Sequence, residues 1–475
     1  MNTLVEIKRT IAELRAAGGI FSTAGWRTRG LLCAIASRQV SWLTLGLSAA
    51  ALMAGCGGGD SSAPAAPVAQ VAPYSCNDGL KTVDLGDSLA KLTSVKLIKA
   101  GDPMPPLTVG SVAPNASAEL CLVKILVGPG NPGLVGSHST SSGIGIEVLL
   151  PSPKNWNERY VGVGSGGYGG GPGYTSPTNI GVNTFEAQPL AEQGYVTSTT
   201  DDGHGASLPD DFSSEIDGSF ALKPDRGLNT ALLEDFAHRA LHETALKTKA
   251  LIKAYYGKAP VYSYFNGVSD GGREAMMLAQ RYPTDYNGIV SGYPAINWSS
   301  WVPSTMWTQI VMQQDLGGPI DGAKLDAVHS ASVAACDTAL TGQHDGYIAD
   351  PATCRYDPTK DTALLCVASG GTNSTGSCLT TAEARAVNKI WYGSRLDSTM
   401  VDPALDNGWN PQVLAPDQLW FGYNRGTPVN PSALNGFYST AGPTPLPLGP
   451  DWLAITLQNP AYATPTFVNE PRKSS

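Results

Sequence analysis

Gly267-Val268-Ser269-Asp270-Gly271 is the stretch of this chain best suited to covalent chemistry. It matches G-x-S-x-G and falls between a short β-rich run, Val261 to Phe265, and a helix-forming run, Arg273 to Tyr282. Glycines on both sides let the backbone turn sharply enough to lift a serine hydroxyl clear of a strand end. The helix that follows aims its first amides at charge developing on a substrate oxygen. Ser269 is therefore the candidate nucleophile, and the amide of the next residue, Asp270, is one oxyanion donor. A second donor must come from the loop after an earlier strand. The run Gly164-Ser165-Gly166-Gly167-Tyr168-Gly169-Gly170-Gly171 meets that need, because glycine brings N–H groups to a substrate with no Cβ in the way. It lacks the spacing and the Lys-Ser/Thr ending of a phosphate loop. The plain alternative for both stretches is a glycine-rich turn.

The elements that must hold these residues are readable around them. Residues 143–150 alternate as a strand, and Arg159 to Val163 forms another that runs into the glycine loop. Tyr195 to Thr200 is a third, ending at Asp201-Asp202-Gly203-His204. Leu228 to Tyr256 has apolar residues at helical spacing and stops at Gly257, and Ile289 to Ser291 begins a further strand. Strands alternating with helices predict a mainly parallel sheet flanked by helices, an α/β fold. From Trp298 onward that rhythm is lost and four cysteines fall among turns, which predicts an inserted lid. His238 and His242 have metal-ligand spacing, but Arg239 stands where H-E-x-x-H needs glutamate, so they read as satisfied histidines. His204 precedes the serine, the wrong order for a triad in this fold, and reads as structural. Trp298, Trp301 and Trp307 open the lid and either line an aromatic pocket or pack in its core.

Longer motifs carry a resemblance. Ser269-Asp270-Gly271-Gly272-Arg273-Glu274, then Gln280-Arg281-Tyr282-Pro283 and Tyr286-Asn287-Gly288-Ile289-Val290, resemble the signature of the tannase/feruloyl esterase family. The likeness extends over roughly residues 76–465 through the Gly164 loop, Thr200-Asp201-Asp202-Gly203-His204, the Cys336 segment and Cys378-Leu379-Thr380-Thr381-Ala382-Glu383. It implies an α/β-hydrolase core, residues 76–297, with a disulfide-rich lid over 298–455 and a return to the core over 456–475 that lacks the family's last strands. It also implies a serine ester hydrolase acting on phenolic or aromatic acid esters, galloyl or feruloyl, with Gly167 as the second oxyanion donor. Mono(hydroxyethyl) terephthalate hydrolases belong to the same family, but no lid arginine here aligns for a terephthalate carboxylate, whereas Arg425-Gly426-Thr427 resembles the tannase and feruloyl esterase members.

Three departures qualify what the resemblance implies. Val268 stands where relatives carry a cysteine bridged beside the catalytic histidine. The calcium loop of the family is matched by Cys336 to Tyr347 with one residue inserted and Thr341 in place of a carboxylate. Asp337 and Asp345, with the carbonyls of Gln343 and Tyr347, are the candidate Ca²⁺ ligands, at reduced affinity. Only His329 and His344 follow Ser269, both within the lid. The family's Asp and His are expected beyond the residues given, so this chain is expected to lack its general base, to be nearly inactive and to expose a sheet edge. The alternative from another class is a surface lipoprotein that binds aromatic compounds with a disabled hydrolase fold.

Composition bounds the rest. Hydrophobic residues at 42% of 475 suit a packed core, and 54 Gly and 35 Pro imply many turns. The net charge is −9, and residues 1–55 contribute six basic against two acidic side chains, so the body is more acidic still. An acidic body without a basic cluster argues against nucleic acid as a partner, and the family resemblance implies a small-molecule aromatic ester instead. Arg27, Arg29 and Arg38 precede an apolar run, Val40 to Met53, that ends in Ala54-Gly55-Cys56. This reads as a signal and lipoprotein leader over 1–56, lipidated on Cys56, with a flexible tether over 57–75. Export to the periplasm or outer membrane of a Gram-negative bacterium, or secretion, follows, with membrane contact only through that lipid. In an oxidising compartment the six remaining cysteines pair, and short loops favour Cys76–Cys121, Cys336–Cys354 and Cys366–Cys378, although fifteen connectivities exist.

Overall fold

A computed structural model describes residues 74–107, 111–131, 140–205, 217–338, 342–397, 399–409, 414–429, 448–459 and 461. The leader, Cys56 and the tether up to residue 73 lie outside them, as does most of the segment from 456 onward. Seven β-branched, apolar runs form one sheet: β1 (Ala90–Ile98), β2 (Leu120–Val127), β3 (Ile144–Pro151), β4 (Arg159–Val163), β5 (Val196–Thr200), β6 (Tyr262–Val268) and β7 (Gly288–Gly292). Their order is β1-β2-β3-β5-β4-β6-β7. Strands β5, β4, β6 and β7 run parallel, as the alternation with helices predicts. The sheet as a whole is not mainly parallel, however: β1, β2, β3 and β5 are joined by antiparallel pairings. Antiparallel neighbours need no crossover helix, so the helix–strand rhythm used to read the sequence does not mark β1 and β2.

Five helices precede the lid or open it: α1 (Val182–Glu192), α2 (Thr230–Glu234), α3 (Ala240–Tyr256), α4 (Asp270–Arg281) and α5 (Trp298–Ser304). The long helix expected over Leu228 to Tyr256 is interrupted by a π-turn at Asp235–Arg239, which separates α2 from α3. α3 ends at Gly257 in the left-handed region (φ 74°), as a C-terminal glycine should. Its buried residues, including Leu241, Leu251 and Tyr255, join Ile146, Val148, Val196 and Phe265 of the sheet in one core. Next to this core lies a fully buried ion pair. Lys124 of β2 and Glu147 of β3 are direct cross-strand partners, 2.5 Å apart, with side chains 2% and 0% exposed. On the other flank β7 is the outermost strand among the described residues, and its Val290 is 61% exposed.

Beyond α5 come α6 (Trp307–Leu316), α7 (Gly322–Cys336), α8 (Thr381–Tyr392) and α9 (Leu448–Leu457). Thr380 and Glu383 form a capping box at the start of α8. A second core joins Val302, Met306, Val328, Leu379, Ile390 and Leu453 of the lid to Tyr168, Phe220 and Phe236 from the sheet side. All three expected bridges are present, Cys76–Cys121 tying the N-terminal segment to β2, and Cys336–Cys354 and Cys366–Cys378 within the lid. Among the described residues no helix is long and apolar enough to cross a membrane.

Asp451 on α9 gives this junction a pH dependence. Its Oδ2 accepts a hydrogen bond from the Gly218 amide (2.8 Å), and burial pushes the carboxyl up from 3.8 to about 7, with Asp217 adding to the rise. The folded chain thus keeps a proton that the unfolded chain releases, so the stability it contributes at acid pH is lost as pH rises from about 4 to about 7. Asp451→Asn is expected to flatten the fall in unfolding free energy over that window by a few kcal/mol. Denaturant titrations from pH 4.5 to 8 that show the same slope in both proteins would exclude this group as its source.

Candidate active site

Parallel pairing of β4 with β6 sets Val163 beside Asn266, so the glycine loop after β4 emerges next to the turn after β6. Ser269 sits in that turn at φ 60° and ψ −115°, a conformation rare for a residue with a Cβ and held only where its surroundings dictate it. Its amide donates to the Gly292 carbonyl (3.0 Å), and its carbonyl accepts from the amides of Arg273 (3.1 Å) and Ala295 (2.8 Å). The serine therefore stands at the N-terminus of α4, between a strand and a helix, as its motif requires.

The loop docks on α4 through backbone. Gly164 donates to the Asn266 carbonyl (3.0 Å), and the Ser165 carbonyl accepts from the Gly271 amide (2.8 Å). A Cβ on Gly164 would lie 2.6 Å from the Gly271 Cα, so this position demands glycine. Gly167 follows at φ 57°, on the same loop. Beneath the loop lie Asp202, Asp270 and Glu274, all fully buried. Their oxygens fall within 4.8 Å of one another, close enough to hold a metal ion. The donors that meet them are the Ser165 hydroxyl and the Arg273 guanidinium, which binds Asp270 at 2.6 and 2.8 Å.

Ser269 opens on a cavity of about 580 Å³. Its walls are mainly apolar: Val268, Tyr293 and Ile296 from the core side, Trp301, Trp420, Tyr423 and Thr427 from the lid. A serine on a strained turn, glycine amides beside it and an aromatic cavity above it suit acyl transfer. A family model for tannase and feruloyl esterase matches residues 135–416. The chain belongs to the tannase and feruloyl esterase family.

A probable feruloyl esterase of Arthroderma benhamiae is 34% identical over 272 residues, which cover 57% of this chain and 45% of that protein. Feruloyl esterase B of Aspergillus niger is 29% identical over 355 residues, 73% of this chain and 59% of that one. The chain thus spans about half the length of the curated relatives it matches. The crystal structure of feruloyl esterase B from Aspergillus oryzae superposes with a TM-score of 0.58 at 24% identity, covering 83% of this chain and 70% of that one. The tannin acyl hydrolase of Aspergillus niger gives 0.56 at 20%, covering 81% and 64%. At these identities the likeness shows the fold, an α/β-hydrolase with helices on the sheet.

Within this tannase and feruloyl esterase frame the sequence-derived residues separate into two places. Ser269, Asp270 and the Gly164–Gly171 loop come together at the N-terminus of α4, and of these Ser269 lines the cavity. Asp337, Gln343, Asp345 and Tyr347 lie in a lid turn after α7, where Asp337 is buried and accepts from His344 Nδ1 (2.7 Å) and the Gly346 amide (3.3 Å). Of the three lid tryptophans only Trp301 lines the cavity. Trp298 packs on Tyr168 and Phe236, and Trp307 is buried with its indole N–H on the Lys389 carbonyl (2.9 Å). His238 bonds Tyr282 (2.9 Å) and His242 bonds Asp285 (2.7 Å), as satisfied histidines do. His204 is buried against Phe220, and burial lowers it to about 4, so it is neutral at pH 7. Tyr293, Trp420 and Tyr423 were not legible as pocket residues, because only the tertiary fold brings them to Ser269. The acidic residues beneath the loop were visible inside motifs, but no local signal gave them a role.

Proposed function

We propose that the protein hydrolyses carboxylic esters of phenolic or aromatic acids, galloyl or feruloyl, through an acyl-enzyme on Ser269. The observation that carries this reading is Ser269 itself, strained at φ 60° beside a glycine loop and beneath an aromatic cavity. Ser269 Oγ attacks the ester carbonyl and the amides of Gly167 and Asp270 receive the developing oxyanion. The alcohol leaves, and water then releases the acid from the serine. No histidine or carboxylate is among the described residues lining the cavity, and His329 and His344 are not among them, so the proposal assigns the proton acceptor to neither. His329→Ala and His344→Ala are expected to keep turnover within about twofold; a hundredfold loss from either would identify a base in the lid.

The substrate class is tested with galloyl, feruloyl and terephthaloyl esters against the unaltered chain and Ser269→Ala. Preference for the two phenolic esters, lost in the variant, is expected. Equal hydrolysis by both proteins would remove the serine reading and leave the alternative, a disabled fold that binds aromatic compounds. Trp301→Ala is expected to raise KM for a feruloyl ester about tenfold with a smaller change in kcat, since a ring on the cavity wall contributes binding area alike to substrate and transition state. An unchanged KM would move the ring elsewhere.

The lid turn is proposed as a weak Ca²⁺ site formed by Asp337, Asp345 and the carbonyls of Gln343 and Tyr347. These donors are fewer than the six to eight oxygens Ca²⁺ takes, and both Asp337 oxygens are engaged by N–H groups, so a Kd of about 10⁻⁴–10⁻³ M is expected. Millimolar Ca²⁺ should raise the melting temperature of the unaltered protein and not of Asp337→Asn; no shift in either would exclude the site. Export with lipidation on Cys56 is likewise a proposal, supported by three disulfides that suit an oxidising compartment. Loss of metabolic fatty-acid labelling in Cys56→Ser tests it.

A further inference from the structure

We propose that Asp202 and Glu274 are positioning residues that hold the oxyanion loop through Ser165, with the one carboxyl proton of the cluster on Asp202. The inference rests on the ester-hydrolase reading of Ser269 and deepens it.

The loop has little of its own to fix it. Of residues 164–167, three are glycine, and only Ser165 has a side chain that can anchor. Every polar atom of Ser165 is used. Its amide donates to Glu274 Oε2 (3.1 Å), its carbonyl accepts from Gly271, and its hydroxyl lies 2.5 Å from Glu274 Oε1, 2.7 Å from Asp202 Oδ2 and 3.4 Å from Asp270 Oδ2. The two carboxyls also meet the loop at Gly164 and Gly169, which flank Gly167 in sequence. A Cβ on Gly164 would meet Glu274 Oε2 at 2.7 Å, and one on Gly169 would strike Asp202 Oδ2. The amide assigned to the oxyanion is thus suspended between two supports, one on α4 and one at the end of β5.

Hydrogen-bond counting then places a proton. A hydroxyl has one hydrogen, so Ser165 Oγ can donate to only one of its two close carboxyl oxygens. Two unprotonated oxygens do not approach to 2.7 Å, so the other contact is donated by a carboxylic acid. Burial also raises the Glu274 carboxyl, to about 7, but its second oxygen accepts the Ser165 amide, a donor that favours the anion and that Asp202 Oδ1 lacks. Asp270 is held as an anion by Arg273. Asp202 has no cation within hydrogen-bond reach, and its Oδ1 is buried without a partner. Burial and the neighbouring charges of Glu274 and Asp270 raise its carboxyl well above the usual range. The chain of donors runs from Asp202 to the Ser165 hydroxyl to Glu274.

The test uses methyl ferulate turnover and the affinity for phenylboronic acid, whose boronate oxygen occupies the oxyanion position once bound to Ser269. Ser165→Ala and Glu274→Gln are each expected to lower kcat at least about tenfold with KM within about twofold, and to weaken the boronate by a similar factor. Asp202→Ala should lose as much, and Asp202→Asn, whose amide donates to Ser165 as the acid does, should restore most of it. Ser165→Ala leaves both carboxyls in place, so it keeps the test valid where Glu274→Gln does not fold. Unchanged kcat in Ser165→Ala, or a rise in KM alone, would overturn the positioning role. Asp202→Asn as damaging as Asp202→Ala would overturn the proton assignment. Absence of hydrolysis by the unaltered protein would instead count against the ester-hydrolase reading.

Discussion

Ser269→Ala is expected to bring hydrolysis of a phenolic ester down to the background reaction, a loss of up to about 10⁶ in turnover where a base completes the site. The reason is local. Among the described residues Ser269 is the one serine that lines the cavity, and the turn that strains it also aims it there. Losing a serine or its base alone costs about as much as losing both. An unaltered chain no faster than Ser269→Ala would therefore remove the serine reading. Asp270→Asn separates backbone from side chain. It keeps the amide that faces the oxyanion but replaces the carboxylate that Arg273 grips, so the loss should be far smaller than that of the serine.

The largest expected effect on stability is at Glu147. Its carboxylate meets Lys124 on the neighbouring strand and accepts from the Gly181 amide (3.0 Å) and the Thr184 hydroxyl, while the Lys124 ammonium also reaches the carbonyls of Gly173 (2.5 Å) and Asn179. Glu147→Ala would strand a buried ammonium and is expected to lower the unfolding free energy by about 3–5 kcal/mol. The double change Lys124→Met with Glu147→Leu removes both charges and should cost less than either single change. Urea titration reads both. A single-variant loss below about 1 kcal/mol would mean that water replaces the missing partner, as at a surface pair.

How much of this was legible in the sequence follows from how local each signal is. Ser269 and its glycines lie within five residues and are fixed by a turn, so the motif alone located them. The bridges were legible because each joins cysteines that are neighbours in sequence, and short loops close at least entropic cost. β1 was not, because its faces are half exposed and a register shift between Leu92 and Ser94 breaks the alternation. Glu147 falls on the polar phase of the alternating 143–150 run and the segment around Lys124 gave no strand reading, so nothing in the sequence reports that the two face each other. Trp420 and Tyr423 reach the cavity only because the lid folds back over β6, a contact across more than 150 residues.

Leaving aside Cys33 and Cys56 of the leader, the described disulfides join the first of the six remaining cysteines to the second, the third to the fourth and the fifth to the sixth. A chain that emerges from its N-terminus into an oxidising solution meets its cysteines in that order. Each newly arrived thiol finds its native partner as the sole free one behind it. Vectorial synthesis or translocation alone then yields the correct pairing out of fifteen. The protein should therefore reach its native bridges in a host that has an oxidase but no disulfide isomerase, whereas refolding from the fully reduced chain, where all six thiols compete at once, should give scrambled products.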